Sequence, residues 1–395
     1  MSNENLLDGV RVLEFGQIAA GPFTGSLLAD LGADVVKVER PGGGDGMREW
    51  PPQTPNAGGV TFSENFASVN RNKRSIALDI KDEADREALH ELCRQADVVV
   101  ENFRPGVMAR NGFDYERLAN LNPGLIFCSI SGYGQTGPYA GKGAFDVTIQ
   151  AMSGLMSVTG EEHGGPVKCG VPVGDFCAGL YAAYAIVAAL LKRQQTGRGT
   201  CIDCSMLGSL IGVAALQTSE YFGTGRSGRR MGSAHPRNAP YQAFKASDGY
   251  FVIAAGNDKL WREVCAAVGQ PQLAERSEFQ SQLLRARNQD ELTEILEATF
   301  CTETAAYWLA EMERRGVPAS PINSYADVLQ DPQVEHMGLI KELELPNGVK
   351  TRTTGFPISM TGFDFSIRRP PPGLGEHTEE VLNEWCCRQP TLAQG

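Results

Sequence analysis

The chain has 395 residues, carries 36 Lys and Arg against 47 Asp and Glu, and has a formal net charge of −11. Its 42% hydrophobic and 21% charged residues match a globular composition, and its 45 glycines follow no fixed period, which excludes wholesale disorder and collagen. The acidic balance argues against a general nucleic-acid binder, which presents a basic face, yet leaves room for an anionic ligand held by local charge. At about 150 residues per domain, the length sets an expectation of two to three domains. Residues 1–10 show neither the basic region nor the apolar core of a secretory signal. The ten cysteines therefore read as reduced thiols of a cytoplasmic protein, not as a disulfide framework.

Residues 10–15 (VRVLEF) read as a strand, followed by a helix that opens at Pro22 and ends at Gly32. Strands follow at 34–40 (DVVKVER), just before the glycine cluster 41–46, and at 75–81 (SIALDIK). A helix with one charged face covers 82–96, and further strands lie at 97–103 (DVVVENF) and 125–131 (LIFCSIS). Strands alternating with helices of this length predict an α/β fold with a mostly parallel, doubly wound sheet. Helices are expected at 146–156 and 175–193, the second ending at Gly197 as a C-cap. Its apolar run, 178–191, is shorter than the ~20 residues that span a bilayer and reads as a buried helix.

The strand expected at 199–206 contains Cys201 and Cys204, but no second pair has zinc-ribbon spacing, and five scattered histidines give no metal site. Residues 223–240 follow a helix that runs to about 221 and read as a linker. Gly223, Gly225 and Gly228 fit G-x-G-x-x-G, but behind a helix instead of a strand, which removes the dinucleotide reading. Residues 241–325 change to an α+β pattern: a hairpin at 241–244 and 250–254, then helices at 258–268, 289–299 and 304–315. Residues 326–395 end in a helix at 379–386 and are too small to stand alone. The predicted organisation is a large domain in 1–222, a linker in 223–240, a small domain in 241–325 and a returning segment in 326–395.

In an open α/β sheet, ligands bind beyond the carboxyl ends of the strands. Those ends carry Arg40, Lys81, Asn102 and Phe103 with Arg110 close behind, and Ser131, Gly132 and Tyr133. Three cations at neighbouring strand ends suit a phosphorylated ligand, although strand-end cations are also often merely solvated. Asp175 stands directly after Gly174 at the start of the most apolar helix. Such an aspartate is a favoured N-cap; it is equally a carboxylate placed where water is scarce, able to act as a nucleophile.

Five blocks carry a resemblance: VRVLEFGQIAAGPFTGSLLADLGADVVKVERPGGGD, NRNKRSIALDIK, DVVVENFRPGVMARNGF, SISGYGQTGP and GVPVGDFCAGLYAA. In order and spacing they resemble the signature blocks of family III CoA-transferases, the CaiB/BaiF type that includes formyl-CoA transferase. The resemblance implies a Rossmann-like large domain built from both chain ends, a smaller α+β domain, and an interlocked homodimer. It implies coenzyme A as co-substrate, with no metal and no redox nucleotide. It places Arg40 near the adenine, and Leu78, Lys81, Asn102, Phe103 and Arg110 at adenosine and phosphate. It places Gln17 and Ala19 near the thioester, with Asp175 as the catalytic aspartate and Gln17 as a candidate oxyanion donor.

Departures narrow the reading. Formyl-CoA transferase has a run of glycines where this chain has GSAHPRNAP at 232–240, and a lysine where this chain has Ser131, which disfavours formate and oxalate. The racemases of the superfamily use a His–Asp pair, and their histidine aligns with Phe145, before Asp146. SGLMSVTGE, PYQAFKASDGY and GVPASPINS resemble the succinate–hydroxymethylglutarate branch, which transfers CoA between dicarboxylates. Arg48, His235 and Arg237 are then candidates for the distal carboxylate, and Trp50 for the pocket wall. The alternatives are an acyl-CoA racemase or isomerase and a silent acyl-CoA-binding protein.

Overall fold

Six short runs rich in Val, Ile and Leu form one parallel sheet: β1 (Arg11–Glu14), β2 (Asp34–Glu39), β3 (Lys73–Ala77), β4 (Val98–Glu101), β5 (Ile126–Ser131) and β6 (Thr200–Ser205). The computed structural model describes residues 5–386. The strand order is β3-β2-β1-β4-β5-β6, every neighbour parallel, the order of doubly wound Rossmann sheets. From β1 the chain builds outward first to β3 and then, in the other direction, to β6. The crevice between the ends of β1 and β4 is therefore the topological switch point, where such sheets bind ligands.

Alternate residues of each strand enter two cores. Val12, Val35, Val98, Val100, Ile126 and Cys128 pack under α1 (Ala20–Asp30) and the long apolar helix. Leu13, Val36, Ile76, Val99 and Phe127 pack under α2 (Glu83–Gln95), joined by Val381 and Trp385 of the terminal helix Thr378–Cys386. The tail thus returns to the large unit and covers the edge strand β3: Ala77 N–H donates to Thr378 Oγ1 at 3.0 Å, and Arg74 pairs with Glu380 and Glu384.

The described residues divide into two units, one comprising residues up to 155, 168–223 and from 332 onward, the other 156–167 and 224–331. Residues 223–240, expected as a linker, thus group mostly with the second unit, as does 156–167, because Gly232 N–H donates to Gly160 O and Arg230 reaches the carbonyls of Glu161 and Gly164. Within this unit Tyr241–Lys245, Tyr250–Ala254 and Ala319–Pro321 make an antiparallel sheet packed on helices through Phe251, Trp261, Phe300 and Trp308.

Two expectations are corrected. The third strand lies at Lys73–Ala77, not 75–81; Lys73 and Arg74, left outside the expected strand, are buried and ion-paired. Lys81 consequently sits in the turn before α2, not at a strand end. The long apolar helix spans Val173–Thr196 and buries only one face. Ala178, Ala182 and Ile186 are inside, while Leu180, Tyr184 and Leu191 are exposed; by length and composition alone this helix could cross a bilayer.

Beneath α1 lies a buried charge network. Lys37 Nζ lies 3.0 Å from Glu14 Oε1 and 2.9 Å from Asp45 Oδ2, and Lys73 Nζ lies 2.7 Å from Glu14 Oε2, all four side chains being 0% exposed. Glu39 closes the group by a bidentate pair with Arg48. Gly25 of α1 makes room for it, since a Cβ there would fall 1.9 Å from Glu14 Oε2. Gly25→Ala is expected to lower unfolding stability by about 3 kcal/mol, the scale of breaking a buried pair. Gly223→Ala, whose Cβ would meet open space, should stay within about 0.5 kcal/mol. Denaturant titration of both variants checks this, and equal midpoints would refute it.

Candidate active site

The turn leaving β1 crosses the switch point. Gln17 and Asn102 lock it reciprocally: Gln17 N–H donates to Asn102 Oδ1 at 2.8 Å, and Asn102 Nδ2 donates to Gln17 O at 2.9 Å. Gly16 and Gly21 then touch backbone to backbone, so a Cβ on Gly21 would lie 2.9 Å from Gly16 Cα. Between them Ile18 has φ of 65°, a left-handed conformation costing a β-branched residue of order 1–3 kcal/mol. Its N–H is received by both Asp45 oxygens at 3.0 Å, and Lys37 Nζ holds Gly16 O at 2.6 Å.

α1 begins straight after this turn with no side-chain cap, leaving its first N–H groups available to a neighbour. That neighbour is Asp175. Its helix, α4 once α3 (Asp146–Met152) is counted, starts at Val173, with Pro172 as a cap residue that makes no side-chain bond. Asp175 is third in α4 and is no N-cap; the Ala20 N–H of α1 faces its carboxylate instead and favours its charge. One turn further, Gly179 lets the helices touch: a Cβ there would lie 2.8 Å from Phe23 Cδ1 and 3.2 Å from Ala20 O. Residues four apart share a helix face, so the contact at Gly179 aims Asp175 at the start of α1.

Two positive helix ends thus meet at one carboxylate. Burial, with Asp146 beside it, nevertheless pushes Asp175 up to about 6, against the opposing pull of the Ala20 N–H. Asp146 is fixed by accepting Gly174 N–H at 2.8 Å and Gln150 Nε2 at 2.6 Å.

A cleft of about 290 Å³ opens over these groups. It brings together Gln17, Ala19, Asn102, Phe103, Tyr133 and Asp175 of the residues expected from sequence. Arg40, Leu78 and Lys81 stand outside its lining, after β2 and β3 on the same sheet edge: Leu78 N–H donates to Glu39 O, while Arg40 and Lys81 are exposed. Arg110 ends the short helix Val107–Arg110 beyond Phe103 and is exposed.

The substrate candidates separate. Arg48 is spent on Glu39, donates to Pro372 O and stacks 3.8 Å over the Phe66 ring, outside the cleft. Trp50 is exposed, and His235, which packs on Tyr241, belongs with Arg237 to the second unit. Cys201 and Cys204 are strand thiols without a disulfide; Cys387 lies outside the described residues.

Sequence reasoning missed the cleft cations Arg104 and Lys142, although one directly follows Phe103 and the other stands between Gly141 and Gly143. It also missed Glu101, which is buried and accepts Phe103 N–H at 2.8 Å. Burial pushes the Glu101 carboxyl up to about 7.

Because the folded value of Asp175 lies above 3.8, the folded state holds its proton longer than the unfolded one. Stability from this group is intact below pH 3.8 and falls as pH rises through about 6. Asp175→Asn is therefore expected to stabilise the protein at pH 8 by about 1–2 kcal/mol after solvent screening, the gain vanishing towards pH 4. Thermal melts of both proteins across this range test it; a gain independent of pH would refute the assignment.

The CoA-transferase family III model matches residues 7–378. Succinyl-CoA:glutarate CoA-transferase of Mus musculus is 43% identical, over 96% of this chain and 86% of that protein. Succinate–glutarate CoA-transferase of Agrobacterium fabrum is 41% identical, over 96% of this chain and 95% of that protein. The crystal structure of a CaiB/BaiF family protein from Brucella suis superposes with a TM-score of 0.86 at 41% identity, covering 97% of this chain and all of that one. A six-stranded parallel sheet with a carboxylate cleft at its switch point and a match along nearly its whole length place this chain in family III of the CoA-transferases.

Proposed function

We propose that the protein moves CoA from succinyl-CoA, or another dicarboxyl-CoA, to a carboxylic acid, with Asp175 as the covalent nucleophile. The observation that carries this is a carboxylate poised near pKa 6, between two helix N-termini, inside a cleft. Asp175 attacks the thioester carbonyl; the C–S bond breaks, giving a mixed anhydride and CoA thiolate. The thiolate then attacks the aspartyl carbonyl, which frees the donor acid and leaves an aspartyl-CoA thioester. The acceptor carboxylate repeats both steps in reverse and regenerates Asp175. Charge is conserved throughout, and no ATP is needed because each step exchanges activated acyl groups.

Oxyanions form at both carbonyls and need fixed donors. The Ala20 N–H already faces Asp175, and Gln17 lines the same cleft. The body of CoA lies along the strand ends from Leu78 and Lys81 past Arg40 to Asn102, Phe103, Arg110 and Tyr133. Four strand spacings make that edge about 19 Å long, room for an extended nucleotide and pantetheine arm. Phe145, at the racemase histidine position, is 70% exposed and has no proton to exchange.

Arg104 and Lys142 are the cleft cations available to a second carboxylate. The partners are acyl-CoA, carboxylic acids and a second copy of the chain. The exposed Leu180, Tyr184 and Leu191 of α4, with Leu216 and Phe222 beyond it, support a homodimer, interlocked as in the family, that buries such apolar side chains.

Incubation with succinyl-CoA, borohydride reduction and peptide mapping should place a reduced aspartyl group at residue 175, and Asp175→Ala should lose on the order of 10³-fold or more in kcat. Full transfer by that variant would refute the mechanism. With succinyl-CoA as donor, glutarate-like dicarboxylates should exceed matched monocarboxylates and oxalate in kcat/KM by about tenfold or more, the worth of one charged hydrogen bond. Equal use of monocarboxylates such as carnitine would refute the dicarboxylate assignment.

A further inference from the structure

The turn that presents Ala20 N–H to Asp175 does not hold its shape by local preference. Ile18 is β-branched, and left-handed φ is a conformation it avoids. Nothing in the sequence 16–19 supplies a side-chain lock of its own. The restraints come from elsewhere in the chain: Asp45, after β2, receives Ile18 N–H with both oxygens at 3.0 Å. Lys37, inside β2, grips Gly16 O at 2.6 Å and Asp45 at 2.9 Å. Asp45 is 1% exposed and is oriented in turn by accepting Met47 N–H at 2.9 Å and by its own N–H, which donates to Glu39. The Ile18 side chain is seated against Met47, Phe66 and Val69.

We propose that Asp45, seated by Lys37, is a positioning residue for the transfer reaction: it enforces the left-handed turn at Ile18 and so aims the N-terminus of α1 at the reacting carboxylate. The inference rests on the nucleophile reading of Asp175. Two carboxylates thus sit on one turn in different roles. Asp45 is buried, ionised by Lys37 and bonded to Ile18 N–H; Asp175 is half-buried in the cleft and faces Ala20 N–H. Around Asp45 stand Lys37 and, behind it, Glu14, Glu39, Lys73 and Arg48. Asp146 from α3 stands beside Asp175, and the cations Arg104 and Lys142 line the same cleft.

The turn carries a signature that general loss of stability would not reproduce. Ala20 N–H is the contact that lowers the Asp175 pKa, against burial and Asp146. If the turn relaxes, that contact goes and Asp175 ionises at higher pH.

The test uses full-length Asp45→Ala, Asp45→Glu and the double variant Asp45→Ala with Ile18→Gly, with succinyl-CoA and glutarate as substrates. Asp45→Glu keeps the charge that balances Lys37 but moves the acceptor by one methylene. Both single variants are expected to lose about tenfold or more in kcat, as when a fixed oxyanion donor is displaced, with KM for the acyl-CoA nearly unchanged. The rising limb of their kcat/KM profile should move above its native position near pH 6. Ile18→Gly in the Asp45→Ala background should restore most of kcat, because glycine adopts the left-handed turn without help. Native kcat and an unmoved limb in Asp45→Glu would overturn the proposal, as would a kcat loss that leaves the limb in place and does not respond to Ile18→Gly. If Asp175→Ala is inactive and Asp45→Glu is not, this inference alone fails; if Asp175→Ala is fully active, the nucleophile reading fails first.

Discussion

Lys37 is the charge on which the large unit is organised. It lies inside a central strand, fully buried, with Glu14 and Asp45 as direct partners and Glu39 close by. Burial works against its charge, but the three carboxylates overcome this and raise its pKa. Counting Lys73 and Arg48, three cations face three anions. Desolvating such a set is expensive, and it is tolerable only when every member is paired. The network therefore accepts few alternative arrangements, and the backbone segments it bonds are held as firmly as the charges. Those segments are the turn after β1, the end of β2 and the loop at 45–48.

Glycine carries that order into the cleft. Gly25 lets α1 lie directly on Glu14, Gly16 and Gly21 let the turn close on itself, and Gly179 lets α4 approach α1. Each position trades a side chain for a backbone contact, which glycine alone allows at such distances. The glycine content, which in composition suggests only turns, is in part the means by which two helix starts converge. The Gln17–Asn102 pair then joins the halves of the sheet across the switch point, so the geometry of the cleft is not left to the mobility of one loop.

The strands were legible because uninterrupted apolar runs between helical segments have few other readings, and their parallel order follows from the βαβ pattern. The register of β3 was not legible, since Lys73 and Arg74 look like solvent-facing residues until their buried partners, distant in sequence, are known. Asp175 was visible as a residue but ambiguous as a cap. The deciding partner is Ala20 on another helix, a contact no local pattern encodes. Arg48 looked like a free cation for the same reason: Glu39 is close in sequence, but their pairing depends on β2 ending where it does. Arg104 and Lys142 look like ordinary exposed cations in sequence, and only the cleft singles them out.

The environment of Asp175 is a compromise with chemical consequences. A carboxylate in water is a weak nucleophile, stabilised by its own hydration; one in an apolar pocket is stronger when ionised but tends to hold its proton. Here burial and Asp146 raise the pKa while the Ala20 N–H lowers it, and the balance falls near 6. At neutral pH the group is therefore ionised yet poorly hydrated. Stronger donation from the helix ends would lower the Asp175 pKa further, and removal of Ala20 N–H would raise it. In the proposed mechanism the same donor receives the oxyanion once the carboxylate has reacted, so a single N–H would restrain the ground state and stabilise the tetrahedral intermediate. Such a donor serves both purposes only if it stays fixed while charge moves past it, and the buried charge network beneath the turn, which holds Gly16 O and Ile18 N–H, is what fixes it.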